Sequence, residues 1–242
     1  EVARVAGLIS RDPFASGVLP VCIGEGTKIA QFLNTADKEY TGRIRLGRET
    51  DSGDLTGRMT RSAPIPQCSA AELADVAQRF LGESLQIPPM HSAIKRAGVP
   101  LYELARRGVA VERQARRVRI DALELSADGS GGIAFRVACS KGTYVRVLAQ
   151  DIAESLGSAG HLEALRRVRF GDFRIGETIV LDAIGRQPPQ IIALRDALRH
   201  IREIEIDAQA AQRARQGSSP LLRSIPRGTR DEAVKLVDPN GA

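Results

Sequence analysis

The sequence predicts an α+β domain built on a mixed or antiparallel sheet with flanking helices. Segments that alternate apolar and polar residues with period two are interleaved with segments whose apolar residues recur at helical spacing. No regular strand–helix–strand repeat orders them, which argues against a doubly wound parallel sheet. At 242 residues, with 43% apolar and 26% charged residues, the chain can bury a proper core.

In chain order, residues 17–24 mix short apolar runs with Gly and Pro, which reads as strand and turn, and a helix follows over 27–34. Residues 40–47 alternate as a half-buried strand does. Ser69, with Glu72 three residues on, forms a capping box that opens a helix over 70–81, and Leu73, Val76, Ala77 and Phe80 lie along its inner face. A shorter helix spans 101–107 and stops at Gly108. Residues 118–125 and 133–138 form an antiparallel hairpin turned by the Gly-rich stretch 128–132. A further helix covers 143–156 and ends at Gly157.

A boundary is expected near Arg186-Gln187-Pro188-Pro189, dividing a large domain of residues 1–186 from a small module of 190–242. In that module 208–215 reads as a helix, 217–220 as a loop, and 233–237 as a strand entering a hairpin turn at Asp238-Pro239-Asn240-Gly241. With no return strand and no initiating Met, the expectation is a fragment or a processed chain with an incomplete C-terminal module.

The net charge is +6 and the isoelectric point about 9.6, and Arg supplies most of the positive charge, which suits a polyanionic partner. Arg113, Arg116, Arg117 and Arg119, with Arg166, Arg167 and Arg169, are candidates for phosphate contacts, the other reading being solvated faces. Cys22, Cys68 and Cys139 are odd in number and widely spaced, so neither a disulfide framework nor a zinc site is supported, and a reducing cytoplasm fits. No metal is expected, since His91, His161 and His200 are scattered. No apolar stretch approaches the roughly 20 residues of a membrane span.

The most informative segment is Asp12-Pro13-Phe14-Ala15-Ser16-Gly17-Val18-Leu19-Pro20, where a carboxylate precedes a tight small-residue turn and an apolar strand. Taken alone, Asp12 is an ordinary turn-initiating residue. The segment nevertheless resembles the D-P-x-A-S/T-G-V/L-L-P stretch of the TruB family of pseudouridine synthases. Further stretches resemble the family in the same order: Gly24-Glu25-Gly26-Thr27-Lys28, Asp37-Lys38-Glu39-Tyr40, Arg45-Leu46-Gly47 with Thr50-Asp51-Ser52 and Asp54, the run from Gln86 to Lys95, and Cys139-Ser140-Lys141-Gly142-Thr143-Tyr144-Val145-Arg146.

The resemblance runs from about residue 12 to 185 and implies a pseudouridine-synthase-like catalytic domain over 1–186 with a partial PUA-like RNA-binding module over 190–242. The implied activity is isomerisation of uridine 55 in the T-loop of tRNA to pseudouridine by a cytoplasmic monomer. Carried over residue by residue, Asp12 is the catalytic carboxylate, Tyr40 the aromatic beneath the flipped uracil, and Arg146 the ion-pair partner of Asp12. Tyr144 and Leu165 line the same pocket, and Lys28 serves a phosphate contact or structural support.

A base inside folded RNA must be swung out and held on an aromatic surface before it can react. An Arg beside a desolvated carboxylate keeps it ionised, and an anionic carboxylate can act as a covalent catalyst. The isomerisation needs no redox step, and the chain has no G-x-G-x-x-G or P-loop motif, so no cofactor is expected.

The chain departs from the family pattern near its start, where Gly7 stands in place of a His and Arg11 in place of a Leu, and no segment corresponds to the family's first strand. A weakly catalytic tRNA-binding protein that assists RNA folding through the same surface is the alternative reading.

Overall fold

The computed structural model describes residues 14–186, 191–217 and 233–239. The elements in order are β1 (Ser16–Gly17), α1 (Ala30–Leu33), β2 (Lys38–Leu46), β3 (Arg48–Thr50), β4 (Met59–Ser62), α2 (Ala70–Arg79), β5 (Gly82–Gln86), β6 (Lys95–Arg96) and β7 (Val99–Pro100). There follow α3 (Leu101–Arg106), β8 (Arg116–Ala127), β9 (Gly132–Cys139), α4 (Val145–Ser155), β10 (Gly160–Phe170), β11 (Phe173–Arg174), α5 (Leu194–Ala197), β12 (Arg202–Glu205), α6 (Ala208–Arg215) and β13 (Val234–Val237).

Strand order in the main sheet is β1-β10-β2-β9-β8-β5, with β11 added to β10. The β1–β10 pair is parallel and the other pairs are antiparallel, so the sheet is mixed. Alternation is cleanest in β9, where Ile133, Phe135, Val137 and Cys139 point inward and Arg136 outward. In β8 the buried positions run Val118, Ile120 and then Leu123, because a bulge between Ile120 and Ala122 inserts one residue and restores the apolar set to the inner face.

Helices α2 and α4 cover that inner face. The helix α2 opens with the anticipated capping box, the Ser69 hydroxyl accepting the Glu72 N–H while the Glu72 carboxylate accepts the Ser69 N–H. It buries Leu73, Val76 and Ala77, while α4 buries Val145, Leu148, Ala149, Ile152 and Ala153. Gly160 lets α4 lie close to the sheet, since a Cβ there would collide with that of Ala153. The opposite face carries ion pairs instead: Arg43 with Asp128 and Glu163, Arg45 with Glu163, and Arg136 and Arg169 both with Glu39.

Several expectations need correction. The helix expected over 27–34 is a 3-10 turn, Gly24–Ile29, running into the single turn of α1, and the Thr27 hydroxyl bonds back to the Gly24 carbonyl at 2.8 Å. Of residues 17–24, β1 is limited to its two residues, where Gly17 at φ +105° approaches Arg167 so closely that a Cβ would strike its carbonyl. The strands β10 and β5 were not anticipated. The strand at 233–237 is present but pairs in parallel with β12, and the turn at 240–241 lies outside the described residues.

The expected boundary at 187–189 likewise lies outside the described residues. Side chains from both sides of it share a second apolar cluster, in which Val18, Cys22, Leu33 and Phe170 meet Leu198 and Ile201. Lys38 closes that cluster: its Nζ donates to the Asn34 and Ala36 carbonyls at 3.1 and 2.6 Å and sits 4.7 Å from the centre of the Phe170 ring. Burial, and then the charge of Arg167, bring its pKa down to about 8. All three cysteines are free, and burial pushes the Cys139 thiol up to about 11.

Candidate active site

The inner face of the sheet is largely apolar, with Lys38 and Arg167 buried at the second cluster; near the N-terminus of α4, residues singled out in the sequence gather. Tyr40 is half-buried on β2, packed against the main core cluster that contains Leu165 and Val145. In the β2–β10 register Tyr40 faces Arg167 and Leu165 faces Gly42, so the phenol and the leucine are diagonal neighbours on one face. The missing side chain at Gly42 makes room for the Phe135 ring and the Ala164 carbonyl, both of which a Cβ at residue 42 would strike.

Tyr144 and Arg146 come from the start of α4. Tyr144 is its N-cap residue in extended geometry, with φ −95° and ψ 103°, and no side chain of its own caps the helix. The buried Gln86 side chain supplies that anchor, its Oε1 accepting the Tyr144 N–H at 2.8 Å and its Nε2 donating to the Tyr144 carbonyl at 3.2 Å.

Arg146 is mostly buried and donates to three acceptors: Nη1 to the Ser52 carbonyl at 3.2 Å and to Asp54 Oδ2 at 3.4 Å, and Nη2 to the His91 carbonyl at 2.9 Å. Asp54 is only 3% exposed. Burial alone would raise its pKa, but hydrogen bonds from Thr56 and Ser52 and the charge of Arg146 outweigh this and hold it below the usual carboxylate value. The loop bearing Asp54 is tied to β10 by the Leu162 N–H, which donates to the Gly53 carbonyl at 2.9 Å.

The structure therefore brings Tyr40 and Leu165 onto one patch, with Tyr144 and Arg146 on the helix turn that packs beside it. Phe14 and Ala15 pack against the same cluster, while Asp12 lies outside the described residues, as does its expected pairing with Arg146. Lys28 stands apart: it is exposed in the 3-10 turn, paired with Glu25 at 2.5 Å, and that turn packs on the second cluster through Ile29.

Sequence reasoning missed the anchoring roles of Asp54 and Gln86. Both lay within motifs quoted for the resemblance, but their partners are distant in sequence. Within the Arg clusters, Arg117 pairs with Glu83, Arg119 with Asp37 and Asp121, and Arg169 with Glu39, while Arg113 donates to the Pro88 carbonyl. Among the described residues no group of three or more His, Cys, Asp or Glu side chains is placed to hold a metal, and no helix is long and apolar enough to cross a membrane.

A family model described as TruB family pseudouridylate synthase (N terminal domain) matches residues 6–145. Curated relatives named tRNA pseudouridine synthase B include that of Psychrobacter cryohalolentis, 53% identical over 170 residues covering 70% of this chain and 47% of the relative. That of Dechloromonas aromatica is 42% identical over 228 residues, covering 92% of this chain and 75% of the relative. The protein of Francisella tularensis subsp. novicida is 51% identical over 174 residues, covering 72% and 58% respectively. The chain thus spans from about half to three quarters of the length of these relatives.

Among solved structures, a Cbf5-Nop10-Gar1 complex aligns with a TM-score of 0.66 at 22% identity over 96% of this chain and 65% of that one. An H/ACA RNP bound to a substrate RNA containing 2'-deoxyuridine aligns with a TM-score of 0.67 at 21% identity, over 100% and 67%. At these identities the likeness is one of fold.

Proposed function

The chain belongs to the TruB family of pseudouridylate synthases, and from that premise we propose that it isomerises uridine 55 in the T-loop of tRNA to pseudouridine, with Asp12 as the catalytic carboxylate. The observation that carries this reading is the meeting of Tyr40 and Leu165 on one patch of the sheet, beside the α4 turn that bears Tyr144 and Arg146.

In this reading the uridine leaves its stack and rests on Tyr40, with Tyr144 and Leu165 against its edges. Asp12, kept ionised by the Arg146 guanidinium, drives cleavage of the C1′–N1 bond; the uracil turns while held, C5 bonds to C1′, the C5 proton is lost to solvent and N1 takes up a proton, so that product and substrate have the same composition. The anchoring of Arg146 by Asp54 and two backbone carbonyls sets its position before substrate arrives.

Lys28 takes a backbone phosphate outside the pocket, which its exposure allows. Residues 1–186 serve as the catalytic domain and 190–242 as part of a PUA-like RNA-binding module. The protein acts in the cytoplasm as a monomer on the T-arm of tRNA, without metal or cofactor.

The test is tritium release from a tRNA transcript carrying C5-tritiated uridine. The purified chain is expected to release about one equivalent per tRNA, and none from a transcript with cytidine at position 55. Binding without release would instead support the RNA-folding reading. Release from the cytidine transcript would contradict the assigned position.

A further inference from the structure

Resting on the proposed activity, we propose that Gln86 is a positioning residue for the reaction, whose side-chain amide sets the backbone of Tyr144 and hence the turn of α4 that presents Arg146. The strand β5 is the outer edge of the sheet, and its first four residues are exposed. Gln86 alone in β5 turns inward, to 7% exposure.

A primary amide at this place is chemically specific. It offers one acceptor and one donor at the spacing of a peptide group, and both are used on the N–H and carbonyl of a single residue. A carboxylate could accept from the Tyr144 N–H but not donate to its carbonyl. A shorter Asn would not span the gap, and an apolar side chain would leave the N–H buried without a partner.

The need for such an anchor lies in α4 itself. The helix begins at Tyr144 without a side-chain cap, and the Tyr144 carbonyl already accepts from the Val147 and Leu148 N–H groups at 3.1 Å each. The Gln86 amide therefore fixes the residue from which both the Tyr144 side chain and the first helical turn take their direction. The same stretch of chain meets the turn again where the His91 carbonyl accepts from Arg146 Nη2. Residues 86 and 91 thus hold the backbone at 144 and the guanidinium at 146 from one side. Gln86 acts through Tyr144 and Arg146, since its amide is occupied by backbone; a shift of that turn by about 1 Å is enough to lower a rate severely.

The experiment compares Gln86→Met, which removes both bonds at similar size, with Gln86→Glu, which keeps the acceptor. Amide hydrogen exchange is read residue by residue, and single-turnover tritium release is read beside the dissociation constant for tRNA. In Gln86→Met the Tyr144 amide is expected to exchange at least about tenfold faster while α2 and the far end of α4 keep their protection. Single-turnover release is expected to slow roughly tenfold or more with tRNA affinity within about twofold, and Gln86→Glu is expected to fall between the two.

Wild-type turnover in Gln86→Met, or an unchanged Tyr144 amide, would overturn the proposal. So would a uniform loss of protection across the sheet in both variants, which would mark general destabilisation. If the wild-type chain released no tritium, the assigned activity would fail, and the exchange data alone would decide whether the anchor exists.

Discussion

The two faces of the central sheet use the same strands in opposite ways. On the inner face, β2, β9 and β10 present Ile44, Val137 and Leu162 to α2 and α4, and these side chains have essentially no exposure. On the outer face, the alternate positions of the same strands carry Arg43, Arg136, Arg169 and their carboxylate partners in contact with water. Charge therefore means different things on the two sides. The outer arginines sit in partly exposed ion pairs, whereas Arg146, set into the apolar side, is surrounded by acceptors.

Substitutions on the two faces should differ in their cost. Ile152→Ala on the inner face should cost about 3 kcal/mol of stability by urea denaturation, combining lost transfer and cavity terms; a loss below about 1 kcal/mol would mean that α4 is not seated as described. Arg146→Ala should cost a similar amount, about 3 kcal/mol, because Asp54 is left as a buried, unpaired charge, and should abolish turnover. Arg136→Ala on the outer face should cost less than about 1 kcal/mol and leave turnover intact, since its ion pair is solvent-screened and Arg169 still holds Glu39. Equal losses for the two arginines would erase the distinction between the faces.

Acid titration sharpens the same point. The folded pKa of Asp54 lies below its unfolded value, so between the two the unfolded chain binds more protons. Its contribution is fully present above the unfolded value of about 4 and is lost as pH falls through the lower folded value. The stability gap between wild type and Asp54→Asn should therefore be constant from pH 7 to about pH 5 and shrink below about pH 4. A gap that stays constant into acid would show that Asp54 gains nothing from its ionised form.

The capped helix α2, the β8–β9 hairpin and helix α6 were legible because local rules decide them: a capping box, a Gly-rich turn between alternating strands, and an uninterrupted helical run. The central strand β10 was hidden. Two bulges, at Leu162/Ala164 and Arg167/Arg169, place its inward apolar residues at 162, 165 and 170, a spacing without period two, and four charged residues lie among them. The edge strand β5 was hidden too, because its one inward residue is a glutamine. Motif resemblance pointed to Tyr40, Tyr144, Arg146 and Leu165. It was silent on what holds them, because the anchors join residues 58 and 92 positions apart, through a side-chain amide and a loop carboxylate.

The most direct test of the central claim is tritium release from C5-labelled tRNA by the wild-type chain and by Asp12→Asn, with melting temperature and tRNA affinity measured on both. Asn keeps the size and most of the hydrogen bonding of Asp while removing its charge. The variant is expected to fold and bind tRNA as the wild type does while its release falls to background, whereas measurable release from Asp12→Asn would contradict the assignment of Asp12.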